Sequence, residues 1–140
     1  MATLTITRGL PGSGKTTWAR QQVGAVRVSR DDLRRMLHGR HLGYARAEAQ
    51  VTIGHRALVS ALLGAGVNVI CDDTNLSATV VRELRALATK AGAEVVIQDF
   101  TGVPIEVCLA RDAARPDDAR VGEEVIRDMH RRYVIRDRGR

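Results

Sequence analysis

An α/β fold, a parallel sheet covered by helices on both faces, is predicted by three observations. β-type runs alternate with helical patterns, a glycine-rich turn joins the first strand to the first helix, and polar clusters fall at strand ends. The β-type runs are Leu4–Thr7, Val26–Val28, Val67–Cys71 and Glu94–Phe100, about four strands. Between and after them the helical patterns are Thr16–Val23, Asp31–Leu37, Tyr44–Gly64, Ser77–Ala91, Pro104–Ala114 and Gly122–Arg136. Such alternation indicates βαβ units, and right-handed crossovers then align the strand C-termini along one edge, where ligands sit in open sheets. Gly9, Ser29 and Asp72 all fall at strand ends.

The first strand runs into Gly9-Leu10-Pro11-Gly12-Ser13-Gly14-Lys15-Thr16, which fits G-x-x-x-x-G-K-[ST]. With a β-branched strand before it and a helix after it, this is a phosphate-binding P-loop, and the chain is expected to be a P-loop NTPase. Backbone N–H groups of Gly12, Ser13, Gly14, Lys15, Thr16 and Thr17 would converge on a polyphosphate. Lys15 would reach the terminal phosphates, and the Thr16 hydroxyl is a candidate Mg²⁺ ligand. A glycine-rich surface turn explains neither the Lys-Thr pair nor the strand in front. A nucleoside triphosphate, ATP or another NTP, is the expected ligand.

At 140 residues the chain suits one domain, 1–140, able to bury a core without staples. No apolar run is long enough to span a bilayer, and the N-terminus carries no signal-peptide pattern. Cys71 and Cys108 read as small core residues, without zinc spacing, and a reducing cytoplasm is the expected location. A net charge of +6 suits an anionic partner beyond the nucleotide, although arginine-rich composition alone can produce it. Only Trp18, Tyr44, Phe100 and Tyr133 are aromatic, so a stacking platform along many bases is not expected.

Three further clusters carry chemistry. In Ser29-Arg30-Asp31-Asp32-Leu33-Arg34, Ser29 and Asp32 read as a capping box, with Asp32 bonding back to the Ser29 N–H. Asp31 is left to face the ligand edge, where it could accept the proton of an attacking hydroxyl while Arg34 holds an anionic group of the acceptor. The same two residues, at i and i+3, could equally be a surface ion pair. In Cys71-Asp72-Asp73-Thr74-Asn75 a strand ends in two carboxylates. Asp72 or Asp73 could support Mg²⁺ or contact the acceptor, with Thr74 and Asn75 near the acceptor end, or the segment could simply cap the next helix. Arg111 and Arg115 share a helix face before the break at Pro116, so residues about 111–121 read as a lid that brings arginines over a triphosphate. The plainer reading is a solvated helix end in which Asp112, Asp117 and Asp118 pair with these arginines.

The clusters GLPGSGKTTWAR, SRDDLRR, CDDTNL and RDAAR, in this order, resemble the kinase domain of phage-type polynucleotide kinases, the 5′-end-healing enzymes. The resemblance covers nearly the whole chain and implies an adenylate-kinase-like P-loop fold with a helical lid. It implies transfer of the γ-phosphate of ATP to the 5′-OH end of DNA or RNA, in the host cytoplasm if the chain is phage-encoded. On that basis Asp31 matches the general base, Arg34 the holder of the acceptor's 3′-phosphate, and Asp73 the essential Asp of the DTN motif. Arg115 matches the lid arginine on the donor phosphates, with Arg111 beside it. Gly122 stands where that family carries proline. No D-x-D-G-T phosphatase motif is present, so the expectation is either a stand-alone kinase or a chain cut at Arg140 from a protein fused to a phosphatase domain, with the basic run 131–140 compatible with a linker stub. Two alternatives keep the P-loop: a kinase for a small metabolite or antibiotic, and a non-catalytic nucleotide-binding switch.

Overall fold

The computed structural model describes residues 1–40 and 43–136. Four strands, β1 (Thr3–Arg8), β2 (Val26–Val28), β3 (Val69–Cys71) and β4 (Glu94–Asp99), form one sheet in the order β2-β3-β1-β4. Every pairing is parallel, with Ile6 opposite Cys71 and Ile97, and Val28 opposite Cys71. The predicted parallel α/β architecture is therefore what forms. Six α-helices follow the strands: α1 (Lys15–Gln21), α2 (Arg30–His38), α3 (Ala45–Gly64), α4 (Ala78–Lys90), α5 (Ile105–Ala113) and α6 (Glu123–Met129). No helix among the described residues is long and apolar enough to cross a membrane.

Burial explains the placement. β3 is buried along its whole length, as a central parallel strand must be when both faces are covered. Leu4, Ile6, Val69 and Cys71 meet Val51, Val59 and Leu63 of α3 and Leu84 and Ala88 of α4 in the main core. A second cluster, Leu10, Leu76, Cys108, Ile126 and Val134, packs α5 and α6 beneath the P-loop. Both cysteines are buried in these cores, as the sequence suggests.

The elements differ from expectation mainly at their ends. Val67 and Asn68 do not join β3, because Asn68 serves its neighbours. Its Oδ1 accepts from Thr3 N, its carbonyl accepts from Val26 N, and its amide donates to the Gly24 carbonyl. The last predicted helix divides: α6 ends at Met129 and π-helical turns continue over His130–Ile135. The end of the expected linker stub, residues 137–140, lies outside the described residues.

Thr7 fixes the ligand edge. Fully buried near the end of β1, its hydroxyl shares its one hydrogen between the carbonyls of Cys71 and Asp73 and accepts from Asp73 N at 3.2 Å. Thr7→Val keeps the shape and removes all three bonds. We expect a loss of about 1–3 kcal/mol in urea unfolding, chiefly the cost of stranding the Asp73 N–H, since Asn75 still donates to both carbonyls; an unchanged midpoint would remove Thr7 from this role.

Candidate active site

The P-loop leaves β1 with Gly9 and enters α1 at Lys15. Gly12 has φ +82°, and a Cβ there would lie 2.6 Å from the Cys108 carbonyl oxygen, so this turn tolerates only glycine. The loop curls around Lys15, whose Nζ donates to the carbonyls of Leu10 (2.7 Å) and Gly9 (3.0 Å) and to Ser13 Oγ (3.3 Å). Burial lowers its pKa to about 8, against the opposing pull of the Asp72 carboxylate.

The two carboxylates after β3 separate, which the sequence alone leaves open. Asp72, with its side chain 1% exposed, turns to the P-loop. Its Oδ2 accepts from the Thr16 hydroxyl at 2.8 Å and from Arg27 Nε at 2.6 Å. Its Oδ1 is buried without a hydrogen-bond partner. A hydroxyl and a carboxylate with a free lone pair are hard oxygen donors, so Thr16 and Asp72 fit Mg²⁺. Asp73 turns the other way. Its Oδ1 accepts from Arg30 N at 2.8 Å, and its Oδ2 lies 3.3 Å from Nε2 of the buried His55. That last contact is close but not aligned as a hydrogen bond. Burial raises the Asp73 pKa, and His55 counteracts it.

Thr74 and Asn75 line the cleft, but Asn75 largely serves the loop itself. It has φ 44°, a left-handed conformation that asparagine tolerates, and its amide donates to the carbonyls of Thr7 (2.8 Å), Cys71 (3.2 Å) and Asp73 (3.3 Å).

Helix α2 begins as the sequence predicts, with Ser29 Oγ accepting from Asp32 N. The second half of the expected capping box is absent. The Asp32 carboxylate accepts from Arg27 Nη1 at 2.5 Å instead of returning to the Ser29 N–H, since a guanidinium is the stronger partner. Asp31 and Arg34 form the i,i+3 pair at 2.5 Å. Arg34 also makes a fork-to-fork pair with Glu48 of α3, Nε to Oε2 at 2.6 Å and Nη2 to Oε1 at 2.7 Å. This pairing raises the Arg34 pKa and lowers that of Glu48.

The two arginines of the expected lid behave differently from each other. Arg111 Nη1 donates to the Gly12 carbonyl at 3.2 Å, so it rests on the P-loop. Arg115 lies 3.5 Å from Asp112, as the plainer reading of this segment expects. Asp112 is itself buried and accepts from Val121 N and Gly122 N, both at 2.9 Å, which ties the end of α5 to the start of α6. Asp117 pairs with Arg120, and Asp118 approaches Arg35 of α2 across the opening. One cleft of about 1390 Å³ is lined by the P-loop, Arg27, the start of α2, Glu48, Asp72 through Ser77, and Arg111 and Arg115.

The AAA domain family model matches residues 4–135, nearly the whole chain. The chain belongs to the AAA domain family. Among solved structures, a chain of the Pnkp1/Rnl/Hen1 RNA repair complex is 31% identical, with a TM-score of 0.80 over 99% of this chain and 44% of its own length. A second structure of a Pnkp1/Rnl/Hen1 complex gives 33% identity and a TM-score of 0.72 over 88% of this chain and 42% of that one. This AAA domain therefore spans less than half the length of those relatives. The Mycobacterium tuberculosis APS kinase CysC, in complex with AMPPNP and APS, shares the fold at 22% identity and a TM-score of 0.64, over 81% of this chain and 69% of its own. No curated protein matches the chain. The fold is that of the P-loop kinases.

Three residues of this AAA domain's cleft and its floor escape sequence reading: Arg27, Glu48 and His55. Each meets its partner from a different segment, and none belongs to a spacing motif.

Lys15 makes stability depend on pH. Below about pH 8 it is charged both folded and unfolded, and the full burial penalty applies. Between about 8 and the ordinary 10.5, the unfolded chain binds the extra proton, so stability rises with pH. Wild type should gain roughly 2–3 kcal/mol on Lys15→Met across that window in chemical unfolding without added nucleotide. A difference between the two that stays flat with pH would refute the buried-cation account.

Proposed function

We propose that this domain is a polynucleotide kinase that transfers the γ-phosphate of ATP, or another NTP, to the 5′-hydroxyl of a DNA or RNA end. The observation that carries the reading is one cleft holding the P-loop lysine, an acidic residue at the first turn of α2 and a neighbouring arginine, Arg34. The identity to a chain of an RNA repair complex supports it.

In this reading the P-loop amides, Lys15 and the lid arginines Arg111 and Arg115 bind the triphosphate and neutralise charge on the transferring group. Thr16 and Asp72 would hold Mg²⁺, which would supply positive charge to shield the phosphate oxygens. Asp31 accepts the proton of the 5′-hydroxyl as the new O–P bond forms and the bond from the γ-phosphorus to the β–γ bridging oxygen breaks, leaving ADP. Arg34 uses its remaining N–H groups on an acceptor phosphate. Asp73 acts from below: by accepting from Arg30 N it anchors the helix start that presents Asp31. Thr74 and Asn75 shape the wall between the acceptor and the P-loop. The reading covers only this domain, and a phosphatase or ligase partner domain would be a separate activity.

The direct test is incubation with labelled ATP and a 5′-OH oligonucleotide, beside a panel of small hydroxyl compounds. Label on the oligonucleotide 5′ end is the expected result. Label on small acceptors alone would make the domain a metabolite kinase, and stoichiometric ATP binding with no transfer would make it a nucleotide-binding switch.

Asp31→Asn separates base from surface ion pair. The amide cannot take a proton, so kcat should fall by about 10²–10⁴ while ATP affinity holds. Full turnover in this variant would leave Asp31 as a surface partner of Arg34.

A further inference from the structure

Arg34 is assigned to an acceptor phosphate, yet its guanidinium already carries two carboxylates. Both Glu48 oxygens take Nε and Nη2, and Asp31 takes Nη1. A guanidinium has five N–H groups, so one remains on each terminal nitrogen. These two N–H groups remain to meet the non-bridging oxygens of a phosphate. Glu48 also lies 3.6 Å from Arg30, whose Nη2 is held by Thr52 Oγ1 at 3.0 Å. The cluster thus holds two guanidinium groups, Arg30 and Arg34, and two carboxylates, Asp31 and Glu48, all facing one cleft. Its formal charge balances to zero.

Within this cluster each carboxylate offsets part of the pull of the guanidinium groups on a bound phosphate. The monoester at a 3′ terminus carries nearly two negative charges at neutral pH, whereas an internucleotide diester carries one. Either can accept the two free N–H groups. The dianion gains about twice the attraction to Arg34 and meets about twice the repulsion from Glu48, so the Glu48 charge takes about twice as much binding energy from the monoester as from the diester.

We propose that Glu48 tunes acceptor specificity: it orients Arg34 while offsetting its charge, and so shifts the site's preference away from a 3′-phosphomonoester and toward a 5′-OH strand continuing through a phosphodiester. This rests on the polynucleotide-kinase reading, and it concerns a residue of α3 that no motif of the chain marks.

Equilibrium binding tests it without requiring transfer. With the P-loop filled by ADP and Mg²⁺, calorimetry compares a 3′-mononucleotide with a 5′-OH dinucleoside monophosphate bearing no terminal phosphate. Glu48→Gln keeps one acceptor for Arg34 and removes the charge. It should tighten the mononucleotide about tenfold and the dinucleotide less than threefold, with ADP affinity unchanged. Glu48→Ala should move the ratio the same way, and retained ADP binding certifies that each variant is folded. An unchanged ratio overturns the proposal. So does equal weakening of both ligands, which would make Glu48 only a brace for Arg34, or no binding of either ligand to any form. The labelled-ATP assay on wild type reports separately on the kinase reading: transfer with an unchanged ratio sinks the specificity claim alone. A shifted ratio without transfer to any 5′ end sinks the kinase reading and keeps Glu48 as a charge filter.

Discussion

One carboxylate oxygen, Oδ2 of Asp72, joins three pieces of the molecule that are far apart in sequence. It accepts from Thr16 at the start of α1 and from Arg27 on β2, and it follows the central strand β3. A charge this deeply buried must be paired, and removing one partner of such a pair is strongly destabilising. The relative positions of the P-loop helix, the central strand and the edge strand therefore depend on it. Arg27 extends the tie to α2 through Asp32, so the helix bearing Asp31 is placed by the same network.

The neighbouring carboxylate shows how a strand end can serve two sites at once. Successive residues leaving a β-strand point to opposite sides. Asp72 accordingly faces Thr16, and Asp73 faces His55 and the first amide of α2. Thr7 and Asn75 hold the intervening backbone rigidly enough for that division to persist. Between them they satisfy the carbonyls of Cys71 and Asp73 and the amide of Asp73. The loop has little freedom to exchange the two acids.

The sheet was legible in the sequence because parallel strands buried on both faces are continuous apolar runs, and Val69-Ile70-Cys71 is one. The P-loop was legible because its glycines answer local demands, such as Gly12 against Cys108. Helix starts were partly legible: Ser29 caps α2 as its neighbours suggest. What local pattern could not show was competition from a distant segment. Asp32 fits a capping box until Arg27, five residues earlier but on another element, takes its carboxylate. Asn68 reads as strand until its side chain is needed by Thr3 and Gly24. Glu48 and His55 look like ordinary helix residues, since their partners lie across the fold.

The cations of the cleft are held by two kinds of partner, and this orders how they can respond to phosphate. Lys15 and Arg111 are bound mainly by neutral carbonyls of the P-loop itself. A phosphate oxygen is a charged acceptor and makes a stronger bond than a carbonyl, so both cations gain by exchanging partners. Arg27, Arg34 and Arg115 face carboxylates instead, where an incoming phosphate replaces one anion with another and gains less. Of these Arg115 has the longest contact and the greatest exposure, which makes it the easiest to release. In the proposed function, donor phosphates would thus engage Lys15 and Arg111 first and draw Arg115 inward afterwards. In the proposed reaction Arg34 would keep its forked pair with Glu48 and meet an acceptor with the N–H groups that the carboxylates leave free.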